Sequence, residues 1–392
     1  MAFSTTYDPD IVARAEALVP TLAERAPSYD REGRFPAENF ADLHKANLLG
    51  IFIPPELGGL GASYRTFAAV ARTLAQACGS TAMCWVMHAA GTLPVAVAGT
   101  PEQQERYLGP VLRKGQLFSV AYSEPGSGSN FLAPQMVATR AVDDRGRSGY
   151  QLNGAKFFVT SAGAAQFFLV NTAVEDPSPG KAMNLFVLAL DEVRGVAVRD
   201  AWDAMGMRGN SSNDLVFDGC FLPEGTRLGE HAMGMSVMRL RPGGVPMGLA
   251  AIPVGLAEAA LAYAREHART RVLANTGKPL SHLQAIRFLI AESQVAVDAA
   301  RLLVERAAQL ADEQPHAALL EMVKAKYLSN TTAVDVCTKA LQVCGGRGYH
   351  SRSPVQRYLR DAHAGGLMAT TLEAGRDFVG KILLGLDPAG PE

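Results

Sequence analysis

The order of textures along this chain of 392 residues predicts an α+β protein that is mainly α and has three parts. A helical part runs from 1 to 118, a strand-rich part from 119 to 228, and helices return from 229 to 392. Three observations predict this. Residues 10–26 and 36–49 alternate apolar and charged positions at helical spacing. From Phe118 to about Phe221 come short β-branched and aromatic runs separated by turns: LFSVAYS, YQLNG, KFFVTSAG, FFLVN, NLFVLAL, VAVRD and LVFDGCFL. That spacing reads as an antiparallel barrel or sandwich. Beyond about Gly229, Leu283, Ile286, Ile290, Val297, Ala300, Val304 and Ala307 mark one face of a long helix at steps of three, four or seven.

Within the first part, Pro54–Pro55 and Gly58–Gly59 punctuate a turn, after which Tyr64 to Ala77 resumes a helical run. Pro101 opens a charged helix, PEQQERYLGPVL, because proline is well tolerated in a first helical turn. In the last part a second long helix is expected over Glu321 to Val343, stopped by Gly345–Gly346. Val245 to Ala264 carries one charge, Glu258, and is long enough to span a bilayer. Its prolines, Pro246 and Pro253, and its small Ala and Gly residues favour a buried bundle helix instead.

Composition narrows the class of partner. Hydrophobic residues make up 48% and charged residues 19%, ordinary values for a folded chain. A net charge of -1 offers no field for nucleic acid or an anionic membrane, so a small molecule is the expected partner. The five cysteines (Cys78, Cys84, Cys220, Cys337 and Cys344) form no CxxC pair and no zinc-like spacing. They read as reduced thiols in a cytoplasmic protein. The N-terminus shows no basic segment followed by an apolar one, so no signal peptide is expected.

The chemistry is concentrated in Ser123–Glu124–Pro125–Gly126–Ser127–Gly128–Ser129. A turn this rich in Gly and Ser exposes backbone N–H groups and hydroxyls that suit phosphate oxygens or a polar ring edge. The plainer reading is a hairpin loop. The stretch resembles the SEPGSGSD signature of acyl-CoA dehydrogenases, and four further stretches follow it in that family's order. YQLNGAKFFVTSAG (150–163) is similar to its LNG-x-K-x-W-I-T-N strands, and MGMRGNSSNDLVFDGCFLPEGTRLG (205–229) to its MG-x-RG segment. LQAIRF (283–288) is similar to its FQA helix, and QVCGGRGYHSRSPVQRYLRDA (342–362) to its Q-x-x-GG-x-GY…RDA segment.

The resemblance implies a helical domain, a middle β-barrel and a C-terminal four-helix bundle, with FAD between barrel and bundle and a homotetramer of paired dimers. It implies that Tyr122 and Ser123 meet the isoalloxazine and Ser129 the pyrophosphate, that Gly128 is a further cofactor contact, and that Phe158 and Thr160 flank the flavin. Phe158 stands where the family usually has Trp. Arg271, Gln284, Gln342, Gly345 and Gly346 match positions that reach the adenosine diphosphate of a neighbouring subunit's FAD. A planar guanidinium suits that group because it can bond two oxygens at once. The family's R-K-x-FG is here two residues longer and lacks its Phe. Thr371 and Glu373 align with a T-x-E/Q that contacts FAD. Asn130 replaces the signature's Asp and can cap a turn equally well.

Two departures matter most. The spacing that gives Y-E-G-T in the family gives Met368–Ala369–Thr370–Thr371 here, so Ala369 stands where the glutamate base is expected. The alternative position for that glutamate, near Val245, is vacant too, and the D-x-x-R that grips CoA becomes Gly243–Gly244–Val245–Pro246. Three residues remain as candidate bases: His88, His363 and Glu373. A lone histidine in an apolar helix is more often a structural hydrogen bonder. The implied activity is flavin-dependent oxidation of an acyl group on a thioester or carrier. A flavin-dependent monooxygenase is the alternative, needing neither base nor CoA clamp, and a non-redox flavin-binding member is a third reading.

Overall fold

The computed structural model of the protein describes residues 3–388 apart from 129, 131–132, 176–181, 201 and 369. Ser129 and Ala369 therefore lie outside the described residues. Helix α1 (Pro9–Glu32) begins where the Asp8 carboxylate accepts the N–H groups of Asp10 and Ile11, and it ends at Gly33 in the left-handed conformation. Then come α2 (Ala37–Lys45), α3 (Tyr64–Ala77), α4 (Gly79–Ala98) and α5 (Pro101–Lys114). Ser63 caps α3, and a Thr100–Gln103 capping box starts α5. Nearly every residue of α4 is buried, so it forms the centre of this part, with Trp85 stacked on Phe67 at 5.2 Å.

Eight strands follow: β1 (Phe118–Ala121), β2 (Val137–Val142), β3 (Ser148–Val159), β4 (Phe167–Val174), β5 (Met183–Ala189), β6 (Val196–Arg199), β7 (Asn213–Pro223) and β8 (Arg227–Leu228). They form one sheet in the order β6-β7-β3-β2-β4-β5-β8, with β1 also on β4. The expected all-antiparallel pairing needs correction, because β1 and β2 both run parallel to β4. Phe118–Ala121 pairs with Phe167–Val170 and Val137–Ala138 with Ala173–Val174. The two strands are thus consecutive stretches along a single edge of β4. The glycine-rich segment between them leaves that edge and returns to it in the same direction, so it is not a hairpin.

Helices α6 (Gly234–Leu240), α7 (Gly244–Thr270), α8 (Gln284–Glu313), α9 (Ala318–Gly348), α10 (Pro354–Leu367) and α11 (Leu372–Leu383) complete the chain. Helix α9 packs on α7, α8 and α10, and α7 packs on α8 and α10, which gives the four-helix bundle. Both α4 and α7 are long and apolar enough to cross a membrane, and both are mostly buried inside the protein. Inside α7, Pro253 has no N–H to give the Leu249 carbonyl, and Asn330 of α9 donates to that oxygen instead, at 3.1 Å. The GG stop expected in α9 is real. Gly345 has φ 57 and ψ −146 and interrupts the helix there.

The three parts are tied at one seam. Arg360 of α10 binds Asp30 of α1 through both terminal guanidinium nitrogens (2.9 and 2.5 Å) and the Met205 carbonyl at 2.7 Å. Next to it, Asp361 accepts the Met207 N–H at 2.6 Å. Burial pushes the Asp361 carboxyl up to about 6, although that N–H and nearby Arg357 favour its charged form.

Candidate functional site

The site is built on the edge excursion between β1 and β2. Glu124 fastens both ends of it: its carboxylate accepts the N–H of Gln135 at 2.6 Å and that of Met136 at 3.2 Å. Ser127 closes the turn on the backbone of Glu124, donating to its carbonyl at 2.9 Å. The carboxylate is fixed from within the sheet by Lys156 of β3, whose Nζ donates to Glu124 Oε1 at 2.6 Å and to Asn171 Oδ1 at 2.8 Å. Lys156 is fully buried and Glu124 nearly so. Burial pulls the lysine down to about 8 against the pull of the carboxylate. Beyond this anchor, Gly126 (φ 80) and Gly128 (φ 55) take left-handed conformations, and a Cβ on either would meet open space.

The register of β3 against β7 slips between Lys156 and Val159. At the slip, Phe158 is held at φ 56 with 69% of its surface exposed. A bulky residue in that conformation is strained, and an aromatic ring left in solvent is unusual for a strand. Ser161, Met207 and Ser211 share positive φ, so strain is concentrated around this face. The Phe157 N–H donates to the Ser123 carbonyl at 2.8 Å, so the excursion lies alongside the slip. Tyr122 is half-buried, and burial raises its phenol above the ordinary range. Thr160 is buried, with its hydroxyl 3.1 Å from that of Ser212. The result is a ledge with one exposed aromatic ring, Phe158, beside the exposed Gly128 and the part-buried Tyr122 and Ser123, with Thr160 buried beneath.

A second group lies on the bundle. The charges of Arg271 and Arg347 both act on His267 and, with its burial, lower its pKa, so the end of α7 and the break at Gly345–Gly346 are neighbours. Gln284, at the start of α8, and Gln342, on α9, are exposed. Thr371 caps α11 by accepting the Ala374 N–H, and Glu373 is exposed in that helix's first turn. At the clamp position, Gly243 has φ 122 and a Cβ there would lie 2.9 Å from Met322. An aspartate does not fit this backbone, which agrees with its loss from the sequence.

The three candidate bases have different surroundings. His88 is fully used: Nδ1 accepts the Phe118 N–H at 3.0 Å and Nε2 donates to the Leu49 carbonyl at 2.9 Å. It joins α4 to β1 and to the turn at 48–50, and burial lowers it to about 4. His363 on α10 and Glu373 on α11 are exposed on either side of the 368–371 turn. Two residues that sequence reasoning passed over also act here. Lys156 carries the anchor, and Lys326 of α9 donates to the carbonyls of Met368, at 2.8 Å, and Thr370. Burial draws Lys326 down to about 8. A signal for it was present, since it falls within the stripe Met322, Ala325, Ser329 and Ala333 that α9 buries.

His88 gives a test by acid. Its folded pKa is near 4 and its ordinary value 6.5, so its neutral form stabilises the fold above pH 6.5, and that contribution disappears as pH falls toward 4. Asp361, raised to about 6, acts with the opposite sign over the same range, so the comparison must be with a variant. Relative to His88→Gln, the wild type is expected to lose about 3 kcal/mol more between pH 7 and pH 4 in urea unfolding. Parallel pH curves would mean that His88 is not buried neutral.

The chain matches the N-terminal domain of acyl-CoA dehydrogenases over residues 13–115, their middle domain over 119–220 and their C-terminal domain over 247–371. It is 34% identical over 366 residues to cyclohex-1-ene-1-carbonyl-CoA dehydrogenase of Geobacter metallireducens, covering 93% of this chain and 94% of that one. It is 30% identical to the human mitochondrial short-chain specific acyl-CoA dehydrogenase, over 90% of this chain and 83% of that one. Among solved structures, butyryl-CoA dehydrogenase from Megasphaera elsdenii superposes with a TM-score of 0.89 at 30% identity, over 98% of this chain and 100% of that one. Fold and likeness together define an oxidoreductase scaffold of helical, sheet and helical domains. The chain belongs to the acyl-CoA dehydrogenase family.

Proposed function

We propose that this protein is an FAD-dependent dehydrogenase of acyl-CoA thioesters, oxidising the bond between Cα and Cβ. The ledge around Phe158 carries the reading: an exposed ring on a strained backbone is what a flat cofactor would cover. The relatives, CoA dehydrogenases alike over nine-tenths of this chain, support dehydrogenation and do not favour the monooxygenase. The residues fit FAD. The backbone of Tyr122, Ser123 and Gly128 offers hydrogen bonds to a ring edge, Ser129 is a candidate for phosphate, and Thr160 and Phe158 border the face. Arg271, Gln284, Gln342, Gly345 and Gly346 would hold the adenosine diphosphate of a second subunit's cofactor, with Thr371 and Glu373 nearer its own. Bound FAD supplies the hydride acceptor.

The α-proton needs a separate acceptor, and Ala369 has no lone pair to offer. His88 has both nitrogens engaged. We assign the role to His363, which is exposed on α10 three residues beyond Arg360 and ahead of the 368–371 turn. The deciding experiment is anaerobic. Acyl-CoA thioesters are expected to bleach the bound flavin of the wild type. Persistent colour, with O₂ consumed once reduced flavin is added, would establish the monooxygenase instead.

Cofactor and assembly follow from the second group of residues. The extracted cofactor is expected to have the mass of FAD, and recovery of FMN alone would reject the role of Arg271. Arg271→Ala is expected to weaken FAD retention about 10–100-fold, the worth of one charge-assisted contact, with little change in folding stability. Phe288, Val295 and Leu302 lie exposed along α8 with Leu283 just before it, and Leu383, Leu384 and Leu386 at and just beyond the end of α11. These apolar rows support a homotetramer or homodimer. Light scattering should return a multiple of the 41.6 kDa chain mass, and a monomer would refute the shared FAD site.

A further inference from the structure

Lys326 is a buried cation with no part in the chemistry described so far. Only 5% of its surface is exposed, and among the described residues no carboxylate pairs with it. Its partners are two main-chain oxygens, the carbonyls of Met368 and Thr370. A buried ammonium without a counter-ion costs several kcal/mol unless its hydrogen bonds are good. Retaining one on a helix whose other buried residues carry no charge calls for a specific contact. The contact is with the turn between α10 and α11. Met368 is the C-cap of α10 and Thr370 lies ahead of the α11 cap, so neither carbonyl belongs to a helix ladder, and one ammonium can serve both.

The rest of the seam fixes where that turn can go. One helical turn beyond Lys326, Asn330 donates to the carbonyls of Leu249 and Lys326. Its Oδ1, which has no hydrogen-bond partner among the described residues, lies against Gly365, where an added Cβ would come within 2.1 Å. Helix α10 therefore approaches α9 at Gly365 closely enough for only a glycine, and the chain arrives at Met368 within reach of the lysine. The turn held this way joins α10, which carries His363, to α11, which carries Glu373.

We propose that Lys326 is a positioning residue: by gripping the carbonyls of Met368 and Thr370 it sets the turn that orients the acyl group for proton removal. The catalytic part of this rests on the dehydrogenase reading above, while the grip on the turn does not. The test compares flavin-loaded wild type with Lys326→Met, Lys326→Gln and Lys326→Arg. In Lys326→Met, amide exchange of the 368–374 segment is expected to rise about tenfold or more, with α7 unchanged, since the turn opens without the bundle unfolding. With an acyl-CoA that bleaches the wild-type flavin, kcat should fall about 10–100-fold and KM should stay within about threefold, as for a misplaced reacting group. Lys326→Gln and Lys326→Arg, which can still donate to a carbonyl, should recover part of both. Unchanged exchange in 368–374 would overturn the proposal, as would exchange that rises evenly across α7 to α10 with kcat and KM moving together. If no acyl-CoA bleaches the wild type, the dehydrogenase reading fails, and the exchange comparison still decides whether Lys326 holds the turn.

Discussion

Replacing Lys156 with methionine is expected to destabilise the fold by about 3–5 kcal/mol, because it leaves the Glu124 carboxylate buried without its cation. The pair is a 2.6 Å contact with both side chains almost wholly out of water. The N–H groups of Gln135 and Met136 and the amide of Asn171 complete the network around it. Two N–H donors soften the loss without matching a full charge, so the variant is expected to drop its flavin as well. Without Lys156 the excursion from Tyr122 to Met136 loses its side-chain anchor and keeps only main-chain ties, from Phe157 N–H to Ser123 and from Ala173 N–H to Met136. Urea unfolding with visible absorbance on the same samples measures both effects. Adding Glu124→Gln to Lys156→Met should return part of the stability, since the orphaned charge is then gone, and this double-mutant cycle isolates the pair. A loss below about 1 kcal/mol with flavin retained would mean that the carboxylate reaches water.

The features that were legible in the sequence are those set by neighbours in the chain. The 3.6-residue rows of α1 and α8, the capping proline of α5 and the glycine break in α9 are local signals, and each marks the element observed. The direction of β1 and β2 was not legible. Which edge a strand joins depends on residues 30 or more positions away, and nothing in FSVA says whether its partner runs parallel. Lys156 escaped notice for a similar reason. By alternation Lys156 shares the inward face of Tyr150 and Leu152, yet a lysine reads as solvent-facing until its buried partner Glu124, 32 residues away, is known. His88 was visible as a histidine in an apolar helix. That its two nitrogens meet Leu49 and Phe118 depends on three segments converging, which no local pattern encodes. The candidate site was therefore legible as motif positions, while the groups that hold those positions in place were not.

The largest kinetic effect is expected at His363. Loss of a positioned general base lowers turnover about 10²–10⁴-fold. Of the three groups first considered, His88 is excluded by its hydrogen bonds, and the other two are separable by what else they touch. Glu373 sits in the first turn of α11, two residues from the Thr371 cap, at positions that match FAD contacts in the family. Glu373→Gln is therefore expected to weaken flavin retention, while turnover of the fully loaded enzyme stays within a few-fold. His363 lies on α10, whose hold on the barrel through Arg360 and Asp361 is rigid, so its imidazole is presented from a fixed support. His363→Ala should leave flavin bound and the spectrum unchanged, yet slow anaerobic bleaching by acyl-CoA about 100-fold or more. Using substrate deuterated at the α carbon, the variant should show a larger isotope effect than the wild type, because proton transfer then limits the rate. If His363→Ala bleaches at the wild-type rate and Glu373→Gln does not, the proton goes to the carboxylate, and α11 rather than α10 carries the base.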